Sequence, residues 1–105
     1  MKIKQDVFFH PRTFSNYHVP RILYVAEQQA PPGYEPTVTS AGDGHAHRPN
    51  SLHNKGRAFD FRTRDLAPET VGAWAKRIQA VLGGNYRALV EKDHIHVGYY
   101  GPGAD

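Results

Sequence analysis

The sequence predicts an α+β domain in which a small, largely antiparallel sheet is covered by helices on one face. Three observations predict it. Short strand-like runs recur along the chain, two stretches of helical spacing fall between them, and turn-forming residues separate the segments. A length of 105 residues suits one domain spanning 1–105 and is too short for two independently packed units.

Taken in order, residues 3–9 carry a weak strand pattern. From Pro20 the apolar residues Val19, Ile22, Leu23 and Ala26 follow helical spacing, with Pro20 suited to the first turn and Pro31-Pro32 beyond the end. Thr37 to Ser40 is a short β-type run, and Ala41 to Asn50, rich in Gly, His and Asp, reads as a loop. Ala58 to Arg62 is strand-like. The clearest helix opens with Pro68 and Glu69, lines up Val71, Trp74, Ala75, Ile78 and Leu82 on one apolar face, and stops at Gly83-Gly84. Tyr86 to Val90 and His94 to Tyr99 read as strands of one hairpin, joined through Glu91, Lys92 and Asp93. Trp74, Tyr99 and Tyr100 are expected as core or rim aromatics.

Composition narrows the chemistry. Hydrophobic residues make up 39% and charged residues 22% of the chain, values of a globular protein rather than a disordered one. No cysteine is present, so disulfides, thiolate catalysis and Cys-ligated metal sites are excluded and any metal falls to His and carboxylate. Of the seven His, four lie in the pairs His45/His47 and His94/His96. The formal charge of +3 favours an anionic surface, but no basic stripe or stacking motif accompanies it, and nucleic acid is not expected as a partner. The segment before His10 has no apolar run of signal-peptide length, and nothing approaches the roughly 18 apolar residues of a membrane span. Synthesis in the cytoplasm without stable membrane insertion is expected.

Side-chain alternation assigns the second face of the sheet. In Ala58-Phe59-Asp60-Phe61-Arg62 the two Phe point one way and Asp60 the other, and in His94-Ile95-His96-Val97 the apolar pair faces away from both His. If the apolar set packs on the helices, Asp60 and His96 arrive together on the uncovered side. His53 precedes Asp60 by seven residues, with Gly56 between them able to turn the chain into the strand. Two imidazoles and a carboxylate form a ligand set that leaves a coordination position for water, and zinc lowers the pKa of such a water to about 7. A nearby carboxylate can then exchange protons with the reacting groups, for which Asp93 and Glu91 are the candidates. The same ligand set suits Fe(II).

The pattern Ser51-x-His53-x-x-Gly56-x-Ala58-x-Asp60, followed by Asp93-His94-x-His96, resembles the paired motifs of the zinc D-Ala-D-Ala carboxypeptidase family. That family includes D,D-dipeptidases and phage L-alanyl-D-glutamate endopeptidases and shares its fold with hedgehog-type zinc domains. The resemblance spans roughly Val38 to Val97. It implies zinc on His53, Asp60 and His96 in a cleft on the uncovered face, Asp93 as the catalytic acidic residue, and substrate contact by Ser51. It further implies hydrolysis of a peptide bond in bacterial cell-wall peptidoglycan, a stem peptide as partner, a monomer, and action on the wall after release or delivery, as by a phage lysis enzyme.

One feature departs from the family pattern. Many members carry an Arg shortly after the Ser that ends the first strand, whereas this chain reads Ser40-Ala41-Gly42-Asp43-Gly44. Arg48, His47, Arg57 and Arg62 are the candidates to replace that substrate anchor, Arg48 first and Arg57 next. Arg57 and Arg62 otherwise read as solvated charges beside the strand, and His94 as a site-facing residue that contacts substrate or orients a neighbour. The alternatives are a non-catalytic zinc-containing module that grips wall peptide, and a non-haem iron oxygenase.

Overall fold

The computed structural model describes residues 1–42 and 56–103. Five strands, β1 (Lys2–Ile3), β2 (Thr37–Ser40), β3 (Ala58–Arg62), β4 (Tyr86–Val90) and β5 (His94–Tyr99), form one sheet in the order β1-β2-β3-β5-β4. All neighbouring pairs are antiparallel except β1 with β2. Two α-helices, α1 (Pro20–Gln28) and α2 (Pro68–Leu82), and a 3₁₀ turn at Pro11–Phe14 complete the α+β architecture.

The helices start and stop where local chemistry dictates. Proline opens both at a first-turn position, where its missing N–H is no loss, and Glu69 adds a favourable charge at the positive end of α2. Gly83, at φ 89°, ends α2. All five predicted apolar positions of α2, Val71, Trp74, Ala75, Ile78 and Leu82, are buried. In α1 the buried set is Ile22, Val25 and Ala26, while Leu23 packs at the margin of the core. Trp74 joins the layers: its indole N–H donates to Ala26 O of α1 at 3.0 Å, and its ring lies 6.2 Å from Phe61 of the sheet. Phe59, Phe61, Ile95 and Val97 are fully buried in this same core.

The first strand is shorter than the sequence pattern over 3–9 predicts. Only Lys2 and Ile3 pair with β2, because the chain turns at residues 5–6 and Asp6 takes a left-handed backbone at φ 68°, which a strand cannot accommodate. Beyond the turn Phe9 leaves the sheet and packs 6.2 Å from Phe59. At the opposite edge, Gln79 of α2 acts as a side-chain extension of the sheet. Its amide donates to Tyr86 O at 2.9 Å and accepts from Ala88 N at 2.9 Å, which satisfies part of the outer edge of β4.

Among the described residues no helix is long and apolar enough to cross a membrane.

Candidate metal and substrate site

The sheet register brings the predicted strand residues together. Asp60 of β3 lies directly opposite His96 of β5, and the next row pairs Arg62 with His94. Directly opposed residues share a face, so Asp60, His96 and His94 stand on the side away from Phe59, Phe61, Ile95 and Val97. A register shift in β2 extends the Asp60 row. Val38 opposes Phe61 but Ser40 opposes Asp60, so two residues of β2 span one of β3. This row therefore runs Ser40, Asp60, His96 and, on β4, Leu89.

Asp60 offers one carboxylate oxygen to each imidazole. Its Oδ1 is 3.2 Å from His96 Nδ1, and its Oδ2 is 3.6 Å from His94 Nε2. Zinc bonds of about 2.0–2.2 Å place two ligand atoms of a tetrahedral ion about 3.3–3.6 Å apart. The Asp60–His96 separation is close to that spacing, and the donor types are those zinc takes. Among the described residues, however, no three His, Asp or Glu side chains form a group able to hold a metal. His53, expected as the third ligand, lies outside the described residues, as do Ser51, Arg48, His45 and His47.

Asp93 sits in the turn ahead of β5, which begins at His94, so its direction is free of the strand alternation. Its carboxylate meets His94 Nδ1 at 2.7 Å, and its side chain is 73% exposed. The hydrogen bond to His94 holds the Asp93 carboxyl below its usual range. His94, half-buried, thus stands between Asp93 and Asp60, one ring nitrogen toward each. Glu91 is exposed, and its backbone N–H donates to His94 O across the hairpin.

Two expectations need correction. Arg57 is neither a solvated charge nor available as a substrate anchor: it is 5% exposed, and its Nη1 donates to Arg12 O at 2.8 Å. Its place next to Ala58 puts it on the core side of the chain, in line with Phe59, where it ties the 3₁₀ turn to the start of β3. The site face is also not bare. Ala58 is 1% and Asp60 6% exposed, and Gly98 opposite Ala58 is buried. Arg62 remains half-buried beside the site, its carbonyl receiving the Tyr34 hydroxyl at 3.1 Å.

A residue to which the motif spacing gives no role packs where the chain leaves β2 and enters β3. His10 packs against both Gly42 and Gly56. Comparison with family models, with curated proteins and with solved structures gave no match.

Proposed function

We propose that the chain is a zinc-dependent peptidase that hydrolyses a peptide bond in bacterial cell-wall peptidoglycan, with His53, Asp60 and His96 as metal ligands. The observation that supports this reading is the direct cross-strand pairing of Asp60 with His96 on the face opposite the core, 3.2 Å apart at their nearest ring and carboxylate atoms. Two of the three proposed ligands stand side by side on adjacent strands of the sheet, as a preorganised site requires. A zinc ion held there would supply Lewis acidity and bring a water to a pKa of about 7.

The remaining roles fall to side chains around that pair. Asp93 is the acid–base group, able to take up a proton and return it to the leaving amine. His94 binds Asp93 on one side and faces Asp60 on the other, which orients the carboxylate relative to the ligands. His94, Ser51 and Arg48 contact the stem peptide, in a cleft on this face. The protein acts as a monomer on the wall after release or delivery.

The test is mass spectrometry of muropeptides after digestion of purified peptidoglycan by the zinc-loaded protein. Loss of a terminal D-Ala indicates a D,D-carboxypeptidase, and separation of L-Ala from D-Glu indicates an endopeptidase. An unchanged muropeptide profile overturns the peptidase reading.

A further inference from the structure

One strand over from His94, a groove of about 620 Å³ is lined by Arg62, the residue directly opposite that histidine. The groove lies at one end of the sheet, where Lys2 opens β1, Thr37 opens β2 and Arg62 closes β3. Lys2 and Thr37 are partners across the parallel pair. Thr37 adjoins Val38, which is fully buried opposite Phe61, so alternation puts Thr37 and Lys2 on the Asp60 face together with Arg62. Neighbouring strands lie about 4.8 Å apart, and residues two apart in a strand about 6.6 Å. Arg62 is therefore one strand from His94 and one repeat of the pleat from Asp60, and two residues of an extended peptide cover either distance.

The charges of the groove do not cancel. Lys2, Lys4 and Arg62 line it with Glu35 and Asp65, three cations against two carboxylates. Glu35 is engaged by Lys2 at 3.8 Å. Among the described residues the Arg62 guanidinium has no ion pair or hydrogen bond; only its main chain is held, by the sheet and by the Tyr34 hydroxyl, which donates to Arg62 O at 3.1 Å. Arg62 is half-buried, so part of its hydration is already lost before anything binds. A guanidinium presents its N–H donors in a fixed planar fork that matches the two oxygens of a carboxylate.

We propose that this groove is a carboxylate subsite, in which the Arg62 guanidinium binds a carboxylate of the substrate peptide while the bond to be cut lies at Asp60 and His96. That the ligand is a stem peptide rests on the peptidase reading; the unpaired cation and its place beside His94 do not. A stem peptide offers two carboxylates of the same chemistry, the free one of D-Glu and that of the terminal D-Ala. Amidating them one at a time shows which of the two the groove takes.

The experiment is calorimetric titration of the zinc-loaded protein, in an Asp93→Asn background to slow turnover, with a synthetic stem pentapeptide ending in D-Ala-D-Ala and with its two monoamides. One monoamide is expected to bind the parent about ten- to a hundredfold more weakly than the free acid, the loss of a hydrogen bond between charged groups. Arg62→Gln is expected to bind the free acid as weakly as that monoamide and to distinguish the two no longer. Arg62→Lys, which keeps the charge without the fork, should recover part of the difference. Arg64→Gln removes an equal charge from an exposed residue outside the groove and should bind as the parent does. Arg62→Gln that still separates acid from amide by the parent's factor overturns the proposal, as does an equal loss in Arg64→Gln or failure of the parent to bind the peptide. Discrimination that depends on Arg62, in a protein that releases no product from peptidoglycan, overturns the peptidase reading alone.

Discussion

Gly56 separates two costs that are usually mixed, and substituting it links the fold to the site. Its φ of 69° lies in the left-handed region, and a Cβ there would meet His10 Cβ at 2.9 Å and Thr13 N and Oγ1 at 3.1 Å. Forcing an L-residue into that backbone costs about 1–2 kcal/mol. Overpacking against a well-filled neighbourhood adds about 1–3 kcal/mol. Gly56→Ala should therefore lose about 2–5 kcal/mol, which at about 4–8 °C per kcal/mol is a fall of roughly 10 °C or more in thermal midpoint. Gly33 supplies the control: its φ is 76°, but nothing lies within 4 Å of its would-be Cβ. Gly33→Ala carries only the backbone cost of about 1–2 kcal/mol. Gly72, inside α2 with open space around it, should gain about 0.5–1 kcal/mol as Ala. Thermal and urea unfolding followed by circular dichroism give the three values. Gly56→Ala no more destabilising than Gly33→Ala would refute the claim that residues 10–13 are wedged against the entry to β3.

Two further sets of variants address the chemistry. Asp93→Asn should keep zinc and fold while kcat falls by about 10²–10⁴, with Glu91→Gln much milder; steady-state kinetics at equal zinc content check the ranking, and the reverse order makes Glu91 the base. Because His94 depresses the Asp93 carboxyl, the pair stabilises the fold above the unfolded Asp pKa of about 3.9 and loses that contribution as pH falls through the lower folded value. The stability difference between the wild type and Asp93→Asn should therefore shrink below about pH 4 in thermal melts. Arg48→Ala should raise KM more than it lowers kcat if Arg48 anchors the substrate. Arg57→Met, which removes the buried hydrogen bond to Arg12 O, should lower stability by about 1.5–3 kcal/mol and leave KM unchanged; a KM effect at Arg57 and none at Arg48 would move the anchor.

The elements with a strong period were legible in the sequence because burial enforces that period. α2 extends over Pro68–Leu82 with every predicted apolar residue inside, and the alternation in β3 and β5 assigns Asp60 and His96 to one face, while their direct pairing depends on the strand register. What local pattern could not show are features that depend on contacts distant in sequence or on single backbone angles. The left-handed Asp6 cuts short an otherwise strand-like run. The irregularity in β2 puts Ser40 opposite Asp60, although plain alternation would leave it on the face of Val38. Arg57 is charged yet buried, because a carbonyl 45 positions away in sequence receives its guanidinium. The chain at His10 comes close to both Gly42 and Gly56, a contact that no spacing in the sequence encodes.

The central claim is that His53, Asp60 and His96 hold a zinc ion that hydrolysis requires, and parallel zinc titration and muropeptide mass spectrometry test it most directly. The expected result is one zinc per chain in the wild type, product release that stops with a chelator and returns with added zinc, and loss of both zinc and product in His53→Ala, Asp60→Ala and His96→Ala. Full zinc affinity in any one variant would remove that residue from the ligand set, and product release unaffected by the chelator would contradict the claim itself.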